Sequence, residues 1–155
     1  MLSRKNLIVH ITHTDIKKDS RIIKEIRALN NLNNVFVMGI GINSKKEKNN
    51  ERNNDINLKN ITLLVSKIKL KVPRSFLYCL NFVEANIRFT INLLYLRPKI
   101  IHVHDTFLLI SAVINKIIYK SNLIYDAHEL ESNKNGQTKI LSFATLLIEK
   151  LSWRK

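Results

Sequence analysis

The stretch "PKIIHVHDTF" (Pro98–Phe107) and, further on, "SNLIYDAHELES" (Ser121–Ser132) carry the same chemistry: an apolar run that ends in histidine beside carboxylate. Imidazole and carboxylate together can move protons, hydrogen-bond hydroxyls or hold a metal ion. His102 and His104 are two apart, so strand alternation puts them on one side of a sheet. His104 and Asp105 lie where one apolar run gives out, and Asp126, Ala127, His128 and Glu129 lie where the next does. His10 and His13 flank the end of an earlier run, "NLIVHIT". If these runs are parallel neighbours, their ends converge on one crevice.

Plainer readings compete. Asp105 suits the cap of a following helix. His102 and His10 fall inside strands, where a histidine satisfied within the core is the ordinary occupant. His128 is the strongest site candidate, because a loop at a sheet's carboxyl edge is where binding and catalytic groups gather. A metal set would draw on His102, His104, Asp105, Asp126 and His128, but no HExxH, no CxxC and no further spaced set follows. No metal is expected.

The elements that must hold these residues alternate. "NLIVHIT" (Asn6–Thr12), "NVFVMGIGI" (Asn34–Ile42), "ITLLVSKI" (Ile61–Ile68), "KIIHVH" (Lys99–His104) and "NLIYDAHE" (Asn122–Glu129) read as strands. "DSRIIKEIRALNNL" reads as a helix capped by Asp19 or Ser20, burying Ile22, Ile26 and Leu29. A long helix is expected from Phe76 to about Leu96, closed by Pro98, with Leu80, Val83, Ile87, Ile91 and Leu94 buried. "DTFLLISAVINKIIYK" is apolar nearly all round and reads as a helix sandwiched inside the protein; "TKILSFATLLIEKLSWR" reads as a last helix. The polar, Asn-rich residues 43–60 read as a solvated, mobile loop. This alternation predicts an α/β fold, a Rossmann-like parallel sheet with helices on both faces and a ligand crevice at the strands' carboxyl ends. "GIG" at Gly39–Gly41 is too short to be a phosphate-binding signal.

The chain's 155 residues suffice for one domain with a real core. Cys79, the single cysteine, cannot form an internal disulfide, which points to a reducing cytoplasm and to a core role for that thiol. The net charge of +14 invites nucleic acid, an anionic membrane surface or phosphorylated substrates. Abundant Lys, Asn and Ile, as AT-rich coding would give, supply a bland origin for the same excess. No RNP, zinc-finger or helix-turn-helix pattern appears and aromatic residues are not interleaved with basic ones, so nucleic acid is not an expected partner. "MLSRKNLIVHITHTD" lacks the features of a signal peptide. The longest apolar stretch, Ser75–Leu96, is interrupted by Asn81, Glu84, Asn86, Arg88 and Asn92, so no membrane span is expected.

Three blocks carry a family resemblance. "DSRIIKEIRALNN" with "VFVMGIG", "RPKIIHVHDTFLLISAVI" and "SNLIYDAHELES" occur in order across nearly the whole chain. Together they resemble the N-terminal, acceptor-side domain of retaining glycosyltransferases of family 4, the "glycosyl transferases group 1" type. The resemblance implies that residues 1–155 form one half of a GT-B fold, with a C-terminal donor-binding half and catalysis in the cleft between. It assigns His128 the contact with the transferring sugar. It puts His104 and Asp105 on the cleft lining, and matches Asp19, Arg21 and Lys24 to the family's first-helix motif. Glu129 and His13 complete the expected acceptor-binding set. No cofactor or metal is implied; the nucleotide sugar is a substrate, and the acceptor is a cell-surface glycan or a lipid-linked one.

Three departures qualify the likeness. The segment after the first strand, "THTDIKKDS", has no glycine for close approach to phosphate, and Asn33–Asn34 stand where the family usually has glycine. The chain ends at "EKLSWRK", in the helix expected to lead toward the linker. The donor half is therefore expected to be absent or to come from a separate chain, and this chain alone is not expected to transfer a sugar. The alternative is a non-catalytic glycan- or membrane-binding remnant. Either would be cytoplasmic, with the basic surface and the long helix suited to peripheral docking on an anionic inner membrane face.

Overall fold

The computed structural model describes residues 6–43, 56–65 and 72–126. Within them β1 (Leu7–Ile11), α1 (Ser20–Asn30), β2 (Phe36–Ile42), β3 (Asn57–Ile61), α2 (Arg74–Leu96), β4 (Ile100–Val103), α3 (Leu109–Tyr119) and β5 (Asn122–Tyr125) follow in order. The strands form one five-stranded sheet in the order β3-β2-β1-β4-β5, every pairing parallel. The chain is thus an α/β protein with a Rossmann-like sheet. Strand order reverses between β1 and β4, which makes their carboxyl ends the switch point of the sheet.

Alternation divides the sheet into two faces. Val9, Ile11, Ile40, Ile101 and Val103 face α2 and α3, and bury with Phe89, Leu93, Leu108 and Ala112 in the larger core. Val37 on the other face buries with Ile16, Ile22, Ile26 and Ile56 in a smaller core under α1. The α1 start is as expected: the Asp19 carboxylate accepts from the Arg21 and Ile22 amides. Asn34 adopts φ 69°, so asparagine supplies the left-handed residue before β2. Arg97 (φ 49°) closes α2 just ahead of Pro98.

Several expectations are corrected. The third strand lies earlier, at Asn57–Ile61, inside what the polar composition marked as loop. It is a β-strand at the sheet's edge whose polar side chains find partners elsewhere: Lys59 donates to Asn92, and Asn60 accepts from the Ile16 amide and donates to Asp15. Residues 44–55 and 66–68, and the last helix, lie outside the described residues.

In α2 the buried row is Ala85, Asn86, Phe89 and Leu93, while Val83, Ile87 and Ile91 are exposed. This helix is apolar on two sides, so periodicity could not choose the inner one. Cys79 is likewise exposed, not a core residue. The end of α3 also emerges, with Ile117 and Ile118 exposed, so the helix is not sandwiched along its length.

The polar residues that interrupt α2 tie it to its surroundings. Asn86 donates to the Phe107 carbonyl and accepts from the Ser111 amide. Glu84 accepts from the Leu64 and Val65 amides and from Arg88. Burial pushes its carboxyl up, but those donors hold it below the ordinary carboxylate value. No described helix is long and apolar enough to cross a membrane.

Both described glycines of β2 are closely covered, but only Gly41 lies under the backbone of the segment after β1. A Cβ on Gly41 would come within 2.5 Å of the Thr14 carbonyl oxygen and 2.6 Å of the Ile16 nitrogen, both backbone. A Cβ on Gly39 would meet only side-chain ends, Ile16 and Ile26 Cδ1 and Leu58 Cδ2. Gly41→Ala should therefore destabilise by about 1–3 kcal/mol and Gly39→Ala by less, since side-chain tips can rotate away. Urea unfolding of the two variants checks the order; equal losses would contradict this account of the crossing.

Candidate functional site

Parallel register builds the site. His10 on β1 is the cross-strand partner of His102 on β4. His104 lies two residues beyond His102, on the same side. All three therefore stand on the sheet face that carries α1. Their rings pack together, with centroids 4.7 Å apart for His10–His102, 4.2 Å for His102–His104 and 5.2 Å for His10–His104. His10 Nδ1 and His104 Nε2 are 2.9 Å apart, a hydrogen bond if one of them carries the proton. Glu25 of α1 reaches over the group. Its Oε2 lies 3.8 Å from His10 Nδ1, 3.7 Å from His102 Nδ1 and 3.9 Å from His104 Nε2. On its far side His104 Nδ1 is 3.6 Å from the Asp126 carboxylate at the end of β5.

His10 and His104 are held neutral. Burial, reinforced by repulsion from His102 and His104, lowers the pKa of His10 from 6.5 to about 3. Burial is also the main cause for His104, lowered to about 4. His102 and Arg21 act in the same direction and Asp126 opposes them. The Glu25 contacts, at 3.7–3.9 Å, are too long for hydrogen bonds. His10 Nε2 and Glu25 Oε2 are buried with no hydrogen-bond partner.

A second cluster ties the strand ends. Asp105 accepts from the Leu108 amide at 3.1 Å, as a cap of the turn that leads into α3. Its other oxygen accepts from the His13 amide at 2.7 Å and lies 3.0 Å from His13 Nδ1. The cap reading of Asp105 and a role at the crevice are therefore not exclusive. Thr106 and Tyr125 join β4 and β5 through their hydroxyls, 2.7 Å apart. Asp15 fixes the segment after β1 from below, accepting from Asn43 and Asn60 side chains and the Lys17 amide.

Of the expected site residues, Asp105 and His13 meet at the carboxyl ends of β1 and β4, while the His104 ring joins the buried cluster on the α1 face. Arg21 is near enough to depress His104. Asp19 serves the start of α1, where two amides occupy one carboxylate oxygen. His128 and Glu129 lie outside the described residues. His10, His102 and Glu25 were not singled out as site residues, yet they share the centre with His104. The alternation of His102 and His104 was a visible signal. The adjacency of His10 needed the strand order, and Glu25 needed the packing of α1. No protein-family model and no curated protein matches this chain.

The neutral rings make stability depend on pH. The unfolded chain's imidazoles titrate near 6.5, those of folded His10 and His104 near 3 and 4. Between those values the unfolded state binds more protons, so this contribution is complete above pH 6.5 and is lost as pH falls toward the folded values. Each ring adds a slope of up to about 1.4 kcal/mol per pH unit. Urea midpoints should drop between about pH 7 and pH 5. A midpoint that stays flat over that range would contradict the buried, neutral assignment.

Proposed function

We propose that this chain is the acceptor-side half of a retaining glycosyltransferase, acting on a cell-surface glycan or lipid-linked acceptor with a nucleotide sugar as donor. The observation that supports the reading is the meeting of Asp105 and His13 at the switch point between β1 and β4, with His104 at the adjoining strand end. An open parallel sheet binds ligands in that crevice. The resemblance of the "IIHVHD" and "YDAHE" blocks to family 4 supplies the reaction class.

In this reading the half-exposed His13 ring and the Arg21 guanidinium offer donors to acceptor hydroxyls. Asp105 holds the segment after β1 in place through the His13 amide. His128 reaches the transferring sugar and Glu129 hydrogen-bonds the acceptor. The donor half stabilises the leaving diphosphate with amides and basic side chains.

Co-expression with a donor half, followed by release of nucleoside diphosphate, tests the assignment. Arg21→Ala and His128→Ala should each lower turnover roughly 10- to 100-fold, the worth of a hydrogen bond involving a charged or reacting group. Turnover unchanged in both variants would remove the proposed acceptor site.

A second reading, peripheral attachment at an anionic membrane face, draws on the exposed row Phe76, Val83, Ile87, Ile91 and Tyr95 of α2. Arg74 and Arg97 bracket this row, and the chain's charge of +14 suits an anionic bilayer. Cosedimentation with phosphatidylglycerol vesicles should exceed that with phosphatidylcholine and fall in Ile87→Lys. Equal recovery with both lipids, or no loss in the variant, would leave the row without that role.

A further inference from the structure

We propose that His10, Glu25, His102 and His104 form a binding site for one divalent transition-metal ion, with zinc as the best-matched occupant. Each residue presents one ligand atom, and the four atoms lie within 4.8 Å of one another. His10 Nδ1, His102 Nδ1 and His104 Nε2 surround Glu25 Oε2 at 3.7–3.9 Å. Ligand bonds of about 2.0–2.1 Å in a tetrahedron place ligand atoms roughly 3.3 Å apart. The His10–His104 pair, at 2.9 Å, is slightly inside that spacing and the carboxylate contacts slightly outside it. The remaining separations stay within 4.8 Å, so binding an ion draws the partly exposed Glu25 and His102 side chains inward.

The chemistry of the cluster points the same way. Glu25 Oε2 is buried without a hydrogen bond, among nitrogens too distant to donate and close enough to share a cation. A buried carboxylate oxygen left in that state is costly, and a cation at the centre satisfies it together with the imidazole lone pairs. Coordination requires His10 and His104 in the tautomers that carry the proton on the outer nitrogen, the ion replacing the hydrogen bond between His10 Nδ1 and His104 Nε2. His104 Nε2 faces the centre, while its Nδ1 is buried without a hydrogen bond, 3.6 Å from the Asp126 carboxylate. Three nitrogens and one oxygen, with no thiolate, suit zinc better than the hard cations that take oxygen alone. Four protein ligands close the coordination sphere, so the ion's role is structural: it clamps α1 onto β1 and β4 beneath the crevice. The site does not depend on the sugar-transfer reading, in which no metal takes part.

The test uses the full chain without a histidine tag, stripped with EDTA and titrated with Co²⁺ alone. One Co²⁺ per chain should bind with the intense visible d–d bands of tetrahedral coordination, and Zn²⁺ should abolish them. His102→Ala should weaken Co²⁺ at least about 10-fold, as should Glu25→Gln. His102 is partly exposed and Glu25 lies on the helix surface, so both variants are suited to fold. Circular dichroism checks that they do. Thermal unfolding of the wild type should shift upward with Zn²⁺ and that of His102→Ala should not. Weak octahedral Co²⁺ spectra, binding of several ions without saturation at one, or equal affinity in folded variants would each overturn the site.

Discussion

The pairing of β1 with β4 governs the rest of the structure. It sets His10 opposite His102 and carries His104 to the same face, so three imidazoles meet where an apolar contact would be the default. Strand register is discrete: a slip by one residue would send all of β4's histidines to the α2 face and Ile101 and Val103 to the α1 face. The larger core opposes such a slip, because Val9, Ile11, Ile101 and Val103 are all fully buried there. The polar cluster is thus held by apolar burial on the opposite side of the same strands.

Around that junction the structure spends its polar side chains on backbone groups at strand ends. Asp105 joins the segment after β1 to the turn before α3, Asp15 joins the same segment to β2 and β3, and Glu84 joins the segment after β3 to α2. Each carboxylate receives at least two donors, which is how loops at a sheet's carboxyl edge acquire fixed positions without a core of their own. Gly41 allows the closest of these approaches. The carboxyl ends of β1, β2 and β4 are therefore tied together by residues that read individually as caps and loop positions.

Much of this was legible in the sequence. Alternating strands and helices gave the parallel sheet, and Asp19 and Pro98 marked a helix start and a helix end where the structure has them. The meeting of Asp105 and His13 followed from placing each at a strand end. The failures have physical causes. The edge strand β3 is mostly polar because only its last residue, Ile61, is buried. In α2, apolar residues on both sides hid which row faced the sheet, and buried Asn86 lay in the row that reads as polar. His10 and Glu25 belong to the central cluster through contacts between distant segments, which local spacing does not encode.

The central claim is that His10 and His104 are buried, uncharged rings in direct contact across the β1–β4 junction. Long-range ¹H–¹⁵N correlation spectra of the imidazole nitrogens, recorded as pH is lowered, report the charge and tautomer of each ring. Both rings should remain neutral at pH 6.5, with titration displaced toward about 3 for His10 and about 4 for His104. Imidazolium shifts with midpoints near 6.5 for both would mean that the rings are solvated, and the site as described would not exist.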